Sequence, residues 1–489
     1  MKGLIHAAAF TTLSTGVTLI MRIARTKLVA LTLGVSGVGL LGEVNAALDF
    51  ATALVTIGFA NAIVRRTAAA HATHTGDRGS TLLATAYFVT AILAAPVVLA
   101  LLLAPPAITQ GVLGLSDTPV ALVALAIAVP FMSLGGIERA VTQGLRNVRQ
   151  LATTSSTTAV LGLLLLGPMV MLFGLNGALV HVAAVSLVGY GVCVWARRRA
   201  SRQAGLAITA LARPSLSAVK DLLSFGSANA ATRVVETAAM LLVRTSIVTA
   251  LGVAQNGIYQ VIFSLPAQFI GIITGALASY AFPLISGLDD RDEITRAINT
   301  ALRFALLATT PLIAGLALIS RPAIVALYSH EFLPAADFLP FELLGDFWQV
   351  VSWALGLSLL GRGHLVAFTV LEIGWSAVFA LGSISQLGRL GLWAPTVSYI
   401  AAHALLAAAT YAYQRSREGF RLSAANGRLL VCSGAVTIGS AVTATSGHWE
   451  YQLLYTPAAL AVWVLLGTEP VERALVWQQT RGWLRMGVV

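Results

Sequence analysis

The chain has 489 residues, of which 57% are apolar and only 10% charged, and its mean hydropathy is +0.83. A soluble domain carries about a quarter charged residues, so this composition excludes a soluble protein and implies one membrane domain with no soluble domain of useful size. The net charge of +11 and pI near 10.2 would suit a nucleic-acid partner, but the basic residues are sorted by membrane side and not gathered in one region, which argues against nucleic acid.

Apolar windows of about 20 residues recur along the whole length and predict an all-α integral membrane protein of about 14 transmembrane helices. The first span, Leu4 to Gly34, begins like a signal peptide but has no small-x-small cleavage site followed by a polar region, so it is expected to be retained. Arg22, Arg25 and Lys27 sit in its second half. Either the helix stops at Met21, or the apolar run Leu28 to Val35 continues it and holds those cations at membrane depth; the second reading keeps the charge pattern consistent. Arg22 and Arg25 would then share a face, with Lys27 turned about 160° from Arg25.

Spans two to six follow as Leu40 to Ile63, Thr81 to Leu103, Val120 to Val141, Ala152 to Phe173 and Gly177 to Trp195. Span two carries Glu43 and Asp49, and span four carries Glu138 and Arg139 near its end, where both are expected to snorkel. The basic segment 197–220 reads as a cytoplasmic linker, and Arg197, Arg198, Arg199 and Arg202 as anchors to lipid phosphates. Span seven, Leu222 to Leu251, contains the most informative feature. Arg233, Glu236 and Arg244 advance only about 80° around the helix. Each charge near a bilayer centre costs at least about 2.5 to 3.5 kcal/mol, so the stripe is expected to face a water-filled cavity for an anionic ligand. The competing reading is a structural ion pair between Arg233 and Glu236, which leaves Arg244 unexplained.

The remaining spans are Gly257 to Leu284, Ile298 to Ile319, Leu339 to Leu360, Leu365 to Leu381, Leu392 to Tyr413, Leu429 to Ala444 and Leu453 to Leu466. Glu342 and Asp346 lie at i and i+4 in span ten, a spacing that holds a proton or a cation or pairs with arginines. His181 and His403 stand alone in apolar spans and read as satisfied core histidines; no metal site and no catalytic site is expected. With both termini cytoplasmic, only Arg321 and Arg389 of the 31 basic residues fall in outer segments.

Leu33-Gly34-Val35-Ser36-Gly37-Val38-Gly39 matches Leu251-Gly252-Val253-Ala254-Gln255-Asn256-Gly257 at Leu, Gly, Val and the last Gly. Six spans separate the copies, and an even number preserves orientation, so parallel six-helix lobes are expected. The division is 1–196, the linker 197–220, 221–415, and a further helix pair with tail at 416–489. That pair has no counterpart in the repeat and is expected to be peripheral. Gly37 to Gly42 spells G-x-G-x-x-G without a surrounding strand-helix-strand unit, and no P-loop exists, so neither dinucleotide binding nor ATP hydrolysis is expected. Outer loops are too short for a polymerase or glycosyltransferase.

The sequence resembles the polysaccharide flippases, of the O-antigen and enterobacterial common antigen type, in the multidrug/oligosaccharidyl-lipid/polysaccharide exporter superfamily. The resemblance rests on Lys27 to Gly34 with Gly37 and Gly39, on Gly58-Phe59-Ala60-Asn61, on Asn256-Gly257-Ile258-Tyr259-Gln260, on Asp292 to Arg296, and on Glu342 to Asp346. It implies two lobes in a V around a cationic cavity that alternates between the two membrane faces. The implied cargo is an undecaprenyl-pyrophosphate-linked oligosaccharide, carried across the bacterial inner membrane. Membrane lipids are implied neighbours, a polysaccharide polymerase and chain-length machinery implied partners, and an H+ or Na+ gradient an implied driving force in place of a cofactor. On this reading Arg25, Lys27, Arg233 and Arg244 bind pyrophosphate, whose charge suits the guanidinium fork, and Asp346, Glu342 and Glu236 couple or gate. Asn45 and Leu265-Pro266 depart from the family pattern, and the last two spans exceed its usual twelve. Fourteen is the number associated with lipid II flippases, so lipid II is the alternative cargo; a cation-coupled drug or metabolite exporter is the other alternative.

Overall fold

The computed structural model describes residues 2–56, 59–73, 76–103, 119–446, 449–470 and 472–473, and every regular element among them is a helix. Helices satisfy their own backbone polar groups, which a lipid environment cannot do for them. Gly58 of the family-like motif and the tail from 474 lie outside the described residues. The chain divides into two compact units, Met1–Gln260 with Ala326–Glu331, and Val261–Val325 with Phe332–Val489.

The first unit holds α1 (Lys2–Thr56), α2 (Phe59–Ala72), α3 (Gly76–Leu103), α4 (Pro119–Gly144), α5 (Val148–Gln203), α6 (Leu216–Leu251) and the start of α7 (Val253–Ser286). At 1.5 Å per residue, the 55 residues of α1 extend about 80 Å, far more than the roughly 30 Å of hydrocarbon. Span one and most of span two therefore form one continuous helix with a break at Gly34, whose φ of 63° suits a residue without Cβ, and the end of span two, from Phe59, lies on α2. Spans five and six merge in the same way into α5, broken at Gly174 with φ 55°. Asn147 starts α5 by accepting the amide of Gln150 at 3.1 Å, a side-chain cap.

The sequence repeat has a structural meaning in this unit. Gly252, the counterpart of Gly34, also has positive φ, 95°, and separates α6 from α7. Gly39 lies against the carbonyl of Val253, and its counterpart Gly257 against the carbonyl of Val35, so the two copies cross through a reciprocal contact. A side chain at either glycine would strike backbone, which fixes the residue type.

The second unit holds the rest of α7, then α8 (Arg291–Leu318), most of α9 (Ser320–Leu327), most of the 3-10 helix His330–Asp337, α10 (Leu339–Gly361), α11 (Leu365–Leu390), α12 (Trp393–Arg417), α13 (Ala424–Thr445) and α14 (Trp449–Gly467). Asp290 caps α8 by accepting the Glu293 amide at 3.0 Å, and Asp292 and Glu293 add negative charge at its N-terminus. Within the unit α10 is the most enclosed helix, packed by α8, α11, α12 and α13.

Ten helices among the described residues are long and apolar enough to cross a membrane, fewer than the expected separate spans. The merging of spans in α1 and α5 accounts for part of the difference. Composition accounts for the rest: α12 carries a row of buried polar residues, and α14 starts with the polar turn Trp449 to Gln452. The chain is a multi-pass membrane protein.

The final helix pair is less peripheral than the sequence suggested. α13 packs on both α8 and α10. Arg303 of α8 makes a two-pronged ion pair with Glu472, Nε at 2.5 Å and Nη2 at 2.6 Å, and its Nη1 donates to Asn426 at 3.1 Å. Asn426 in turn donates to the Asn299 carbonyl at 2.7 Å.

Candidate functional site

Three arginines converge in the first unit. Arg22 and Arg25 from α1 and Arg139 from α4 line one cleft of about 200 Å³, together with Thr18 from α1 and Thr154, Ser155 and Thr158 from α5. Among the described residues no acidic side chain lines the cleft, and all three arginines are open to it. Such a cleft has the charge of an anion site, since three guanidinium forks gathered without a lining acid call for a counter-charge.

Arg139 enters this group because its neighbour is occupied elsewhere. Glu138 is fully buried, accepts the Tyr87 hydroxyl and pairs with the Arg197 guanidinium. Arg197 also donates to the Ile208 carbonyl at 2.5 Å. Glu138 therefore does not snorkel, and Arg197 is a buried tie between α4 and α5 and not a lipid anchor; Arg198 and Arg199 remain exposed. Sequence reasoning missed Arg139 because the pairing of Glu138 spans 59 residues and has no local signal.

The other cations expected at the site are placed differently. Lys27 turns away from Arg25, and its Nζ donates to the Tyr328 carbonyl at 2.6 Å. Arg233 pairs with Glu236 at 3.1 Å with both side chains about half exposed, and Asp49 lies within electrostatic reach of both. Arg244 is 3% exposed; it donates to Asn256 Oδ1 at 3.2 Å and stacks over Tyr259 at 5.1 Å. Asn256 donates to the Gly39 carbonyl at 2.8 Å, and Thr245 to Glu43 Oε1 at 2.7 Å. Arg244 and Glu43 thus sit in one polar network beside the glycine crossing. The structure brings Arg25 into the cleft but puts Lys27 and Arg244 in contacts of their own.

The carboxylates of the second unit form a separate group. Glu342 and Asp346 are buried on one face of α10, and Tyr399 of α12 donates to Asp346 Oδ1 at 3.1 Å. Of the two isolated histidines, His181 pairs with the Gly162 carbonyl at 2.8 Å as a core histidine should. His403 does not: buried, with neither ring nitrogen hydrogen-bonded, it lies between Trp375 and Tyr399. Among the described residues no three His, Cys, Asp or Glu side chains group as a metal site would require.

A family model described as polysaccharide biosynthesis protein matches residues 28–337. The lipid III flippases of Escherichia coli (strain K12) and Shigella flexneri are each 24% identical over 378 residues, 75% of this chain and 88% of theirs. In fold, the chain is similar to an inward-facing multidrug resistance MATE family transporter of the MOP superfamily, with TM-score 0.70 and 14% identity over 82% of this chain and 94% of that one. It is similar also to lipid II flippase MurJ in an inward closed conformation, with TM-score 0.69 and 14% identity over 96% of this chain and all of that one. The family model covers more than half of the sequence, so the chain belongs to the polysaccharide biosynthesis protein family, and its fold is that of the MATE transporter and of MurJ.

Proposed function

We propose that the protein is a flippase that moves undecaprenyl-pyrophosphate-linked oligosaccharide units from the cytoplasmic to the periplasmic face of the bacterial inner membrane, for polysaccharide assembly. The observation that carries this reading is the acid-free cleft of Arg22, Arg25 and Arg139. A pyrophosphate crossing a bilayer brings charge that only fixed cations can meet there, and a wet cleft screens each contact enough to leave it exchangeable. The lipid tail stays in the membrane, so a small cleft suffices for the headgroup phosphates. Transport and not catalysis is the activity.

Within this reading, Arg25 with Arg22 and Arg139 holds the pyrophosphate, and Arg233 is a second contact at the exposed end of its stripe. Lys27 and Arg244 support the helix crossing from inside, and Glu236, Glu342 and Asp346 are the gating or coupling carboxylates. The lobes 1–196 and 221–415 move as parallel repeats in alternating access, joined by the linker 197–220 and followed by the extra pair 416–489, with both termini cytoplasmic. The reciprocal Gly39 and Gly257 contact supports a parallel repeat. Lipid II is the second candidate cargo, favoured by the likeness to MurJ along its whole length. A drug exporter for cations is disfavoured by a cleft of arginines without carboxylates.

Export in a complemented knockout tests the proposal. The Arg25→Ala, Arg139→Ala double variant should stay in the membrane fraction but lose surface polysaccharide and accumulate the lipid-linked unit on the cytoplasmic side. Normal export by this variant at wild-type protein level would remove the cleft as the anion site, and accumulation of lipid II in its place would reassign the cargo.

A further inference from the structure

Buried polar atoms normally have hydrogen-bond partners, so a group of them without partners calls for a ligand or a working role. The second unit has such a group between α10, α11 and α12. Glu342 and Asp346 are 1% and 4% exposed and one helical turn apart. Both Glu342 oxygens and Asp346 Oδ2 are unpaired, although the Thr396 hydroxyl, which donates to the Leu392 carbonyl at 3.2 Å, lies beside Glu342. His403, 2% exposed, has both ring nitrogens unpaired. Its ring stacks on Trp375 at 4.6 Å and meets Tyr399 edge-on at 4.6 Å. Tyr399 is the link, because its hydroxyl donates to Asp346.

Among the described residues no cationic side chain pairs with these carboxylates. Of the ionisable groups on α11, Glu372 accepts from Trp375 Nε1 at 2.6 Å, and Arg389, in the last turn, has an exposed side chain. α8 and α13 also pack on α10; the charges furthest along them, Arg303 and Arg428, lie in their N-terminal halves, and Arg303 is engaged by Glu472 and Asn426. Two carboxylates in a low-dielectric site without a cation cannot both carry charge. The polar row then continues along α12 with Thr410 and Gln414, where Gln414 donates to the Leu355 carbonyl at 2.5 Å and to Ser358 at 2.6 Å. Leu406 and Ala407 interrupt the row for about 10 Å between His403 and Thr410.

We propose that Glu342, Asp346, Tyr399 and His403 form an exchangeable proton site inside the second unit. Uptake forms an O–H bond on a carboxylate as hydronium at the Glu342 end loses one and becomes water; in onward transfer that carboxyl O–H bond breaks as an N–H bond forms on His403, and the carboxylate is restored. The apolar step at Leu406 and Ala407 stops the proton from leaking through, so passage requires a change of conformation. His403 is a proton-relaying residue and not core packing. Its purpose, coupling of a proton to transport, rests on the flippase reading, but the site itself does not.

Trp375 is the reporter, because a protonated imidazole stacked on an indole quenches its emission. The full-length protein in nanodiscs is titrated with acid, and the emission of the Trp375→Phe variant is subtracted from that of the wild type. A pH-dependent difference is expected, unchanged when NaCl replaces KCl, abolished in His403→Gln, and displaced by about one pH unit or more in the isosteric Glu342→Gln and Asp346→Asn variants. A flat difference signal would overturn the proposal, and a midpoint that follows sodium at fixed pH would replace the proton with a metal cation. In parallel, flipping of a fluorescent undecaprenyl-pyrophosphate-linked N-acetylglucosamine is followed in vesicles with and without a pH gradient. Titration without flipping of this probe would sink the flippase reading and leave the proton site; flipping with a flat titration would do the reverse.

Discussion

Two arginines of one helix stripe have opposite fates, and mutation should separate them. Arg244 lies in a buried network with Glu43 and Asn256, so Arg244→Ala would leave Glu43 uncompensated and should destabilise the protein by about 3 to 5 kcal/mol, read as a large fall in thermal unfolding temperature in detergent. Arg233 has a half-exposed side chain and an exposed partner, so Arg233→Ala should change stability by no more than about 0.5 kcal/mol. Equal stability losses in the two variants would contradict the burial argument. Arg139 makes a third case: Arg139→Ala should reduce export about tenfold or more at constant protein level, and Arg139→Lys should recover part of it, because charge is kept and the fork is lost. Full recovery by lysine would show that a point charge is enough there.

Helix crossings in this protein depend on glycine at matched positions. Gly39 and Gly257 bring α1 and α7 close enough that the added side chain would press on the carbonyls of Val253 and Val35. Gly39→Leu and Gly257→Leu should each cost about 1 to 3 kcal/mol through overpacking, with similar losses because the contact is reciprocal. Thermal unfolding of the two variants checks this, and a loss in one but not the other would show that the crossing is not symmetric in energy. A nearby glycine of different role is a useful control. Gly136 has open space around it, so Gly136→Ala should leave the unfolding temperature within a degree or two.

At the scale of the second unit, the contact that ties the end of the chain to α8 is the ion pair of Arg303 and Glu472. The guanidinium of Arg303 holds the Glu472 carboxyl below its ordinary value of 4.5. A depressed folded-state value means that the stabilisation is complete above the unfolded value and is lost as pH falls through the folded one. The difference in unfolding temperature between wild type and Glu472→Gln should therefore be present at about pH 7 and shrink steadily below about pH 4.5. A difference that grows on acidification would reverse the sign and refute the pairing. A chain ending after Arg421 loses both Asn426 and Glu472 as partners of Arg303, so it should insert but unfold at lower temperature and retain only partial export.

The sequence alone determined that this is a helical membrane protein, because hydropathy and the cost of burying charge act locally and leave their period in the residues. Among the described residues the apolar stretches coincide with helices apart from their end residues, and Gly34 and Gly252 mark breaks through a backbone requirement that needs no neighbour. The stripe of Arg233, Glu236 and Arg244 was likewise legible as charge on one helix face. Tertiary structure decided which charges remain open. Arg139 is open to the cleft because Glu138 reaches Arg197 on another helix, Arg244 is enclosed because Asn256 and Glu43 close on it, and His403 lacks a partner that His181 found. Each of these outcomes depends on a residue distant in the chain. Pairing of that kind has no periodicity and no local spacing, so only the packed helices reveal it.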